Sequence, residues 1–172
     1  MAEIPICVSV VFSRHYLADY LKSYYGGHPI KLTVTTRVYP YFSRFITPAP
    51  LRFRGVKPGP GVITFELPYN RTQDIRRLNY INPKHYPVIQ TYFYNLFYAN
   101  FVLFMDDACL IKGLPFKSAI INFMEINEMS FDRCQYDSLK RIYLRHRKQA
   151  IKRKYFVTNQ TKYEHKSHII DP

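Results

Sequence analysis

Residues 132–156, DRCQYDSLKRIYLRHRKQAIKRKYF, hold nine Lys and Arg against two acids, Asp132 and Asp137, and no further acid follows until Glu164. Guanidinium and ammonium groups at this density suit the holding of a polyanion. Guanidinium forks match phosphate and guanine edges, and ammonium groups act as point charges. A solvated helix face normally mixes signs, with Glu and Lys four apart. Here the cations repel one another unless an anion neutralises them.

The element that must carry them is a helix. Tyr136, Leu139, Ile142, Tyr143 and Ile151 fall on or beside one apolar stripe, interrupted by His146. Asp132 followed by Gln135 is a capping-box pattern and sets the expected start. Ahead of it, Phe116 to Ile126 reads as an amphipathic helix with Phe116, Ile120, Phe123 and Met124 inward. Residues 116–156 thus follow a helix-turn-helix-like order. In that docking the start of the second helix faces base edges, which nominates Arg133, Gln135, Ser138 and Arg141. Lys148, Lys152, Arg153 and Lys154 lie further along and suit phosphates. Lys140, Arg145 and Arg147 complete the cationic surface.

A second arrangement is FVLFMDDACLI, residues 101–111, where apolar residues flank Asp106-Asp107. Over these eleven residues the string resembles the aspartate-pair box of reverse transcriptases. The resemblance implies a β-hairpin turn presenting both carboxylates to divalent cations, hence nucleotidyl or phosphoryl transfer with magnesium. Such a site needs a further carboxylate on a neighbouring strand, for which only Asp74 and Glu66 could serve upstream. Without that partner the pair reads as two acids at a helix end, with Lys112 as counter-ion. Neither catalytic residues nor a metal or cofactor is expected: the six histidines lack an HExxH spacing.

Composition bounds the rest. The 172 residues carry a formal charge of +13, sixteen Tyr, thirteen Phe and no Trp. That balance favours nucleic acid over an anionic membrane surface. Duplex DNA is the expected partner. RNA, with exposed Tyr and Phe stacking on single-stranded bases, is the non-catalytic alternative. Cys7, Cys109 and Cys134 form no CxxC pair and are expected as reduced, mostly buried thiols. No signal peptide or bilayer-length apolar run is legible, so a cytoplasmic or nucleoid-associated protein is expected. Its role would be that of a regulator or accessory factor of recombination, replication or packaging.

The expected fold class is α+β. Residues 1–82 should form an α+β part: a strand over Ile4 to Phe12 buried on both faces, a helix capped by Ser13 and ended by Gly26-Gly27, and a strand over Ile30 to Val38. Within residues 40–68, six prolines and the turn at 58–61 suggest a hairpin pairing LRFRGV with VITFEL. Its basic tip would add Arg52, Arg54 and Lys57 to the DNA surface; the equal alternative is a stiff connector with solvated arginines. Asn70 to Asn82 reads as a short polar helix or turn. Residues 83–157 should be helical, with Tyr92, Phe93, Leu96, Phe97, Asn100, Phe101 and Phe104 in a largely buried helix. Whether 84–111 is one helix, or a helix plus a hairpin, is open at this point. Residues 158–172 read as a polar tail.

Overall fold

A computed structural model describes residues 6–36, 38–68 and 78–167; the side chains of residues 78, 133, 134 and 153–167 lie outside the description. The architecture is α+β with a helical C-terminal half. Its core is built on one long helix, α3 (Tyr86–Asp106). Ile89, Phe93, Phe97, Phe101 and Met105 recur every four residues along α3 and all are fully buried. That spacing is one face of a helix, and the opposite side, including Leu103, is exposed. The aromatic stretch is therefore buried along one face, and its exposed face still carries the apolar Val88 and Leu103. Pro87 in the first turn is compatible with the helix start, where its missing N–H would have no partner anyway.

Strand β1 (Cys7–Val11) and helix α1 (His15–Tyr24) lie where the sequence suggests. Gly26 at φ 74° ends α1: its N–H bonds Ser23 O at 3.0 Å and that of Gly27 bonds Lys22 O at 2.8 Å. This is the Schellman arrangement, which favours glycine at the left-handed position. Ser13 does not cap α1; its hydroxyl lies 2.9 Å from Gln90 Oε1 of α3. Tyr16 and Tyr20 of α1 pack on Phe97 at 5.3 and 5.1 Å.

The sheet departs from the expected hairpin. Residues 49–61 form a connection without a strand, and β4 (Val62–Glu66) lies between β1 and the two-residue β2 (Ile30–Lys31). It is antiparallel to β1, with Val11 opposite Val62, and parallel to β2, with Ile30 opposite Phe65. Only one face is buried, contrary to the two-sided burial expected of β1. Val8, Val10, Ile63 and Phe65 point inward, while Ser9 and Thr64 hydroxyls meet at 3.0 Å on the other face. Phe65 stacks on Phe93 at 5.6 Å, which seats the sheet on α3.

The expected strand over Ile30 to Val38 stops early because β4 ends at Glu66, whose carbonyl takes the last bond, from Leu32 N at 2.9 Å. Leu67 N turns to Ile6 O, and Pro68 has no N–H to offer. The chain then turns at Thr33–Thr36 and enters a short helix, α2 (Val38–Phe42). A single 3₁₀ turn leads to β3 (Ile46–Pro48), which pairs antiparallel with β5 (Leu78–Ile81). The polar helix or turn expected over Asn70 to Asn82 is thus a strand at 78–81, and its earlier part lies outside the described residues.

Helix α3 continues into a π-helical turn over Asp107–Ile111, so 84–111 contains no hairpin. Helix α4 (Phe116–Ile126) follows and buries Ala119, Ile120, Phe123 and Met124, with Phe116 half-buried. It too ends in a Schellman arrangement, Met129 N bonding Met124 O at 2.9 Å. In the absence of a glycine, Glu128 takes the left-handed position at φ 48°. The final helix, α5 (Arg133–Ser167), has 35 residues and is about 52 Å long at 1.5 Å per residue. Its backbone stays helical through residues 158–167, in place of the expected polar tail; residues 168–172 lie outside the description. No described helix is long and apolar enough to cross a membrane.

Candidate nucleic-acid interface

Three buried residues four apart, Gln135, Leu139 and Tyr143, anchor α5. Tyr143 stacks on Phe116 of α4 at 5.5 Å and meets Phe101 of α3 edge-on at 6.4 Å. Leu139 and Tyr143 belong to the same core as Ile120 and Phe123, with Tyr136 and Ile142 packed against it, whereas Ile151, expected beside the same stripe, is exposed. Six residues, 127–132, separate the two helices.

The exposed side follows from this anchoring. At about 100° per residue, Arg141, Arg145, Lys148 and Lys152 fall within an arc of about 60°, opposite the line of Gln135, Leu139 and Tyr143. All four are exposed. Their spacing of four, three and four residues makes a straight row about 17 Å long. Lys140 and Arg147, also exposed, lie on one flank about 100° to 120° away. Six cations thus line the outward side of one rigid element, with no acid between them in the sequence.

The set expected to read base edges is not assembled. Gln135 is 9% exposed and turned inward, its amide donating to Asp19 Oδ2 of α1 at 3.3 Å. The same contact takes it away from the reciprocal arm of a capping box. Ser138 is half-buried, Arg141 belongs with the row further along, and the side chain of Arg133 lies outside the description. The start of α5 is therefore used for packing, unlike the groove-facing start of a recognition helix. Arg153 and Lys154 lie on α5 but their side chains are not described. Arg52, Arg54 and Lys57 are split between positions of the 49–61 connection, all exposed, where Phe53 packs on Tyr80 at 4.7 Å. They form no hairpin tip.

The aspartate pair occupies the end of α3 and its π turn, so the hairpin implied by the reverse-transcriptase resemblance is absent. Asp107 pairs with Lys112 at 2.6 Å. Asp106 Oδ1 accepts from the Tyr143 hydroxyl at 2.8 Å, and Asp106 Oδ2 is 3.6 Å from His146 Nε2. His146 Nδ1 in turn lies 3.0 Å from the Tyr98 hydroxyl. Burial, then the Asp106 carboxylate, pushes the Tyr143 phenol far above its usual range, so it stays a hydrogen-bond donor. The two carboxylates diverge into separate contacts, and among the described residues no three His, Cys, Asp or Glu side chains converge. Asp106 ties α5 to α3. This role is not legible in the sequence, although the apolar spacing of Tyr143 with Leu139 marks the helix face concerned.

Of the cysteines, Cys7 is exposed, against the expected burial, because it heads an outward-facing position of β1. Cys109 is partly exposed, and the side chain of Cys134 lies outside the description. Elsewhere, a cleft of about 190 Å³ opens at the start of α1, where Arg14 lies over the Tyr94 ring at 4.3 Å. No protein-family model matches the chain, and comparison with curated proteins and with solved structures also gives no match.

Proposed function

We propose that the protein binds nucleic acid, duplex DNA before RNA, along the outer side of α5. On this reading it serves as a regulator or accessory factor and performs no chemistry on the DNA. One observation carries the reading: the row Arg141, Arg145, Lys148 and Lys152 stands opposite the buried face of a helix that α3 and α4 hold in place. Like charges on a rigid helix destabilise it by mutual repulsion, and a phosphate backbone removes that repulsion while releasing counterions. Arg141, which the helix-turn-helix order assigns to base edges, is on this geometry a phosphate contact, since it is collinear with the other three.

A salt-titrated binding assay on random-sequence duplex tests the proposal. Replacing all four row residues with Ala should lower the slope of log K against log salt by about 0.9 per lost phosphate contact. An unchanged slope would refute the assignment. Competition with single strands and structured RNA decides between the DNA and RNA readings, since exposed aromatic residues such as Phe131 offer a stacking surface to unpaired bases.

A further inference from the structure

Leu144 and Ile151 stand seven residues apart on α5 and are 48% and 50% exposed. At about 100° per residue they lie about 60° to 80° from Arg141 on the side toward Lys140 and Arg147. An apolar line therefore runs between two cationic lines, the row of four on one side and Lys140 with Arg147 on the other. A single exposed Leu or Ile is ordinary. Two on one line, with cations along both margins, form a pattern.

A major groove about 12 Å wide admits a helix, with base edges as its floor and a phosphate strand on each wall. A helix lying there presents one line to the floor and the neighbouring lines to the walls. The charge complementarity of α5 puts both cationic lines on the walls and the Leu144–Ile151 line on the floor. Neither side chain donates or accepts a hydrogen bond. Among the groups on the major-groove floor, the thymine C5-methyl is the apolar one.

We infer that Leu144 and Ile151 contact thymine methyl groups in the major groove, so that the protein prefers duplexes carrying thymine at both positions. The two side chains are about 10.5 Å apart along the helix, so they would meet methyl groups on separate base pairs. The inference rests on the proposal that α5 binds duplex DNA, and deepens it by naming what the helix reads.

The test uses the full chain and two duplexes of identical mixed sequence, one with thymine and one with deoxyuridine throughout, which removes only the methyl groups. The thymine duplex should bind about fourfold tighter per contacted methyl, the equivalent of ~0.8 kcal/mol at about 1.4 kcal/mol per tenfold. The double variant Leu144→Ala, Ile151→Ala should bind both duplexes alike with an unchanged salt slope, since no cation is removed. Equal affinity of the unmodified protein for both duplexes, with salt-dependent binding intact, would overturn the inference and leave the proposed function standing. A thymine preference that persists in a folded double variant would overturn it as well. So would a loss of binding to phosphatidylserine vesicles in that variant with DNA binding unaltered, which would assign the line to a lipid surface. Absence of salt-dependent binding to either duplex would remove the proposed function and this inference together. If the double variant fails to fold, the single variants Leu144→Ala and Ile151→Ala, at half-exposed positions, take its place: each should lose about fourfold of the thymine preference, and an undiminished preference in both would overturn the inference.

Discussion

Truncating Tyr143 separates two ways in which α5 is attached. The side chain is fully buried, stacked on Phe116 at 5.5 Å, and its hydroxyl donates to Asp106 at 2.8 Å. Tyr143→Phe keeps the ring and removes the hydroxyl. A hydrogen bond to a charged group contributes about 1.5 to 3 kcal/mol. The Asp106 side chain is 37% exposed, so water recovers part of the lost contact and the expected cost is about 1 to 1.5 kcal/mol. Tyr143→Ala also empties the space between α3, α4 and α5, and removing a buried aromatic costs about 3 to 5 kcal/mol. For a chain of this size 1 kcal/mol shifts Tm by about 2 to 4 °C. Thermal melts should therefore show a fall of about 2 to 6 °C for Tyr143→Phe and about 6 to 20 °C for Tyr143→Ala. Equal losses in the two variants would mean that the hydroxyl, and not ring packing, holds the helix. A loss below about 1 kcal/mol for Tyr143→Ala would mean that α5 is not docked on Phe116 and Phe101 at all.

Gly61 has φ 81°, and a Cβ there would meet the Phe12 carbonyl oxygen at 2.6 Å, so Gly61→Ala should destabilise by about 2 to 3 kcal/mol in a urea titration, whereas Gly59→Ala, with open space around it, should change little. Burial raises the phenols of Tyr16, Tyr20, Tyr25, Tyr86 and Tyr143 above their ordinary value of 10.0. The folded state then binds more protons than the unfolded state above that pH. These groups stabilise the fold fully below pH 10 and progressively less above it, by up to about 1.4 kcal/mol per pH unit per phenol. Phenolate absorbance should show this set ionising together with loss of near-ultraviolet circular dichroism; ionisation at pH 10 with the fold intact would contradict the burial.

Periodicity is enough to locate α1, α4 and the first turns of α5, because each helix closes its own hydrogen bonds and shows its buried face within a few turns of sequence, whereas the single helix over Tyr86–Asp106 and the run of α5 to Ser167 are not legible there. Gly26 and Gly27 mark the end of α1 for the same local reason. The cationic run is legible as charge, but the direction in which each cation points depends on which residues of α5 are buried, and that is decided by Phe101, Phe116 and Asp19 on three other helices. Gln135 illustrates the limit. Its spacing from Asp132 is that of a cap, yet its amide goes to Asp19, 116 residues away in the chain. Strand pairing is equally non-local. Residues 62–66 alternate as well for a hairpin with 51–56 as for the place they occupy between β1 and β2, and only the burial of Ile63 and Phe65, with Phe65 stacked on Phe93 of α3, selects between them. Asp106 and Asp107 suit either a hairpin turn or a helix end by sequence; Tyr143, reaching across from α5, settles them as the end of α3.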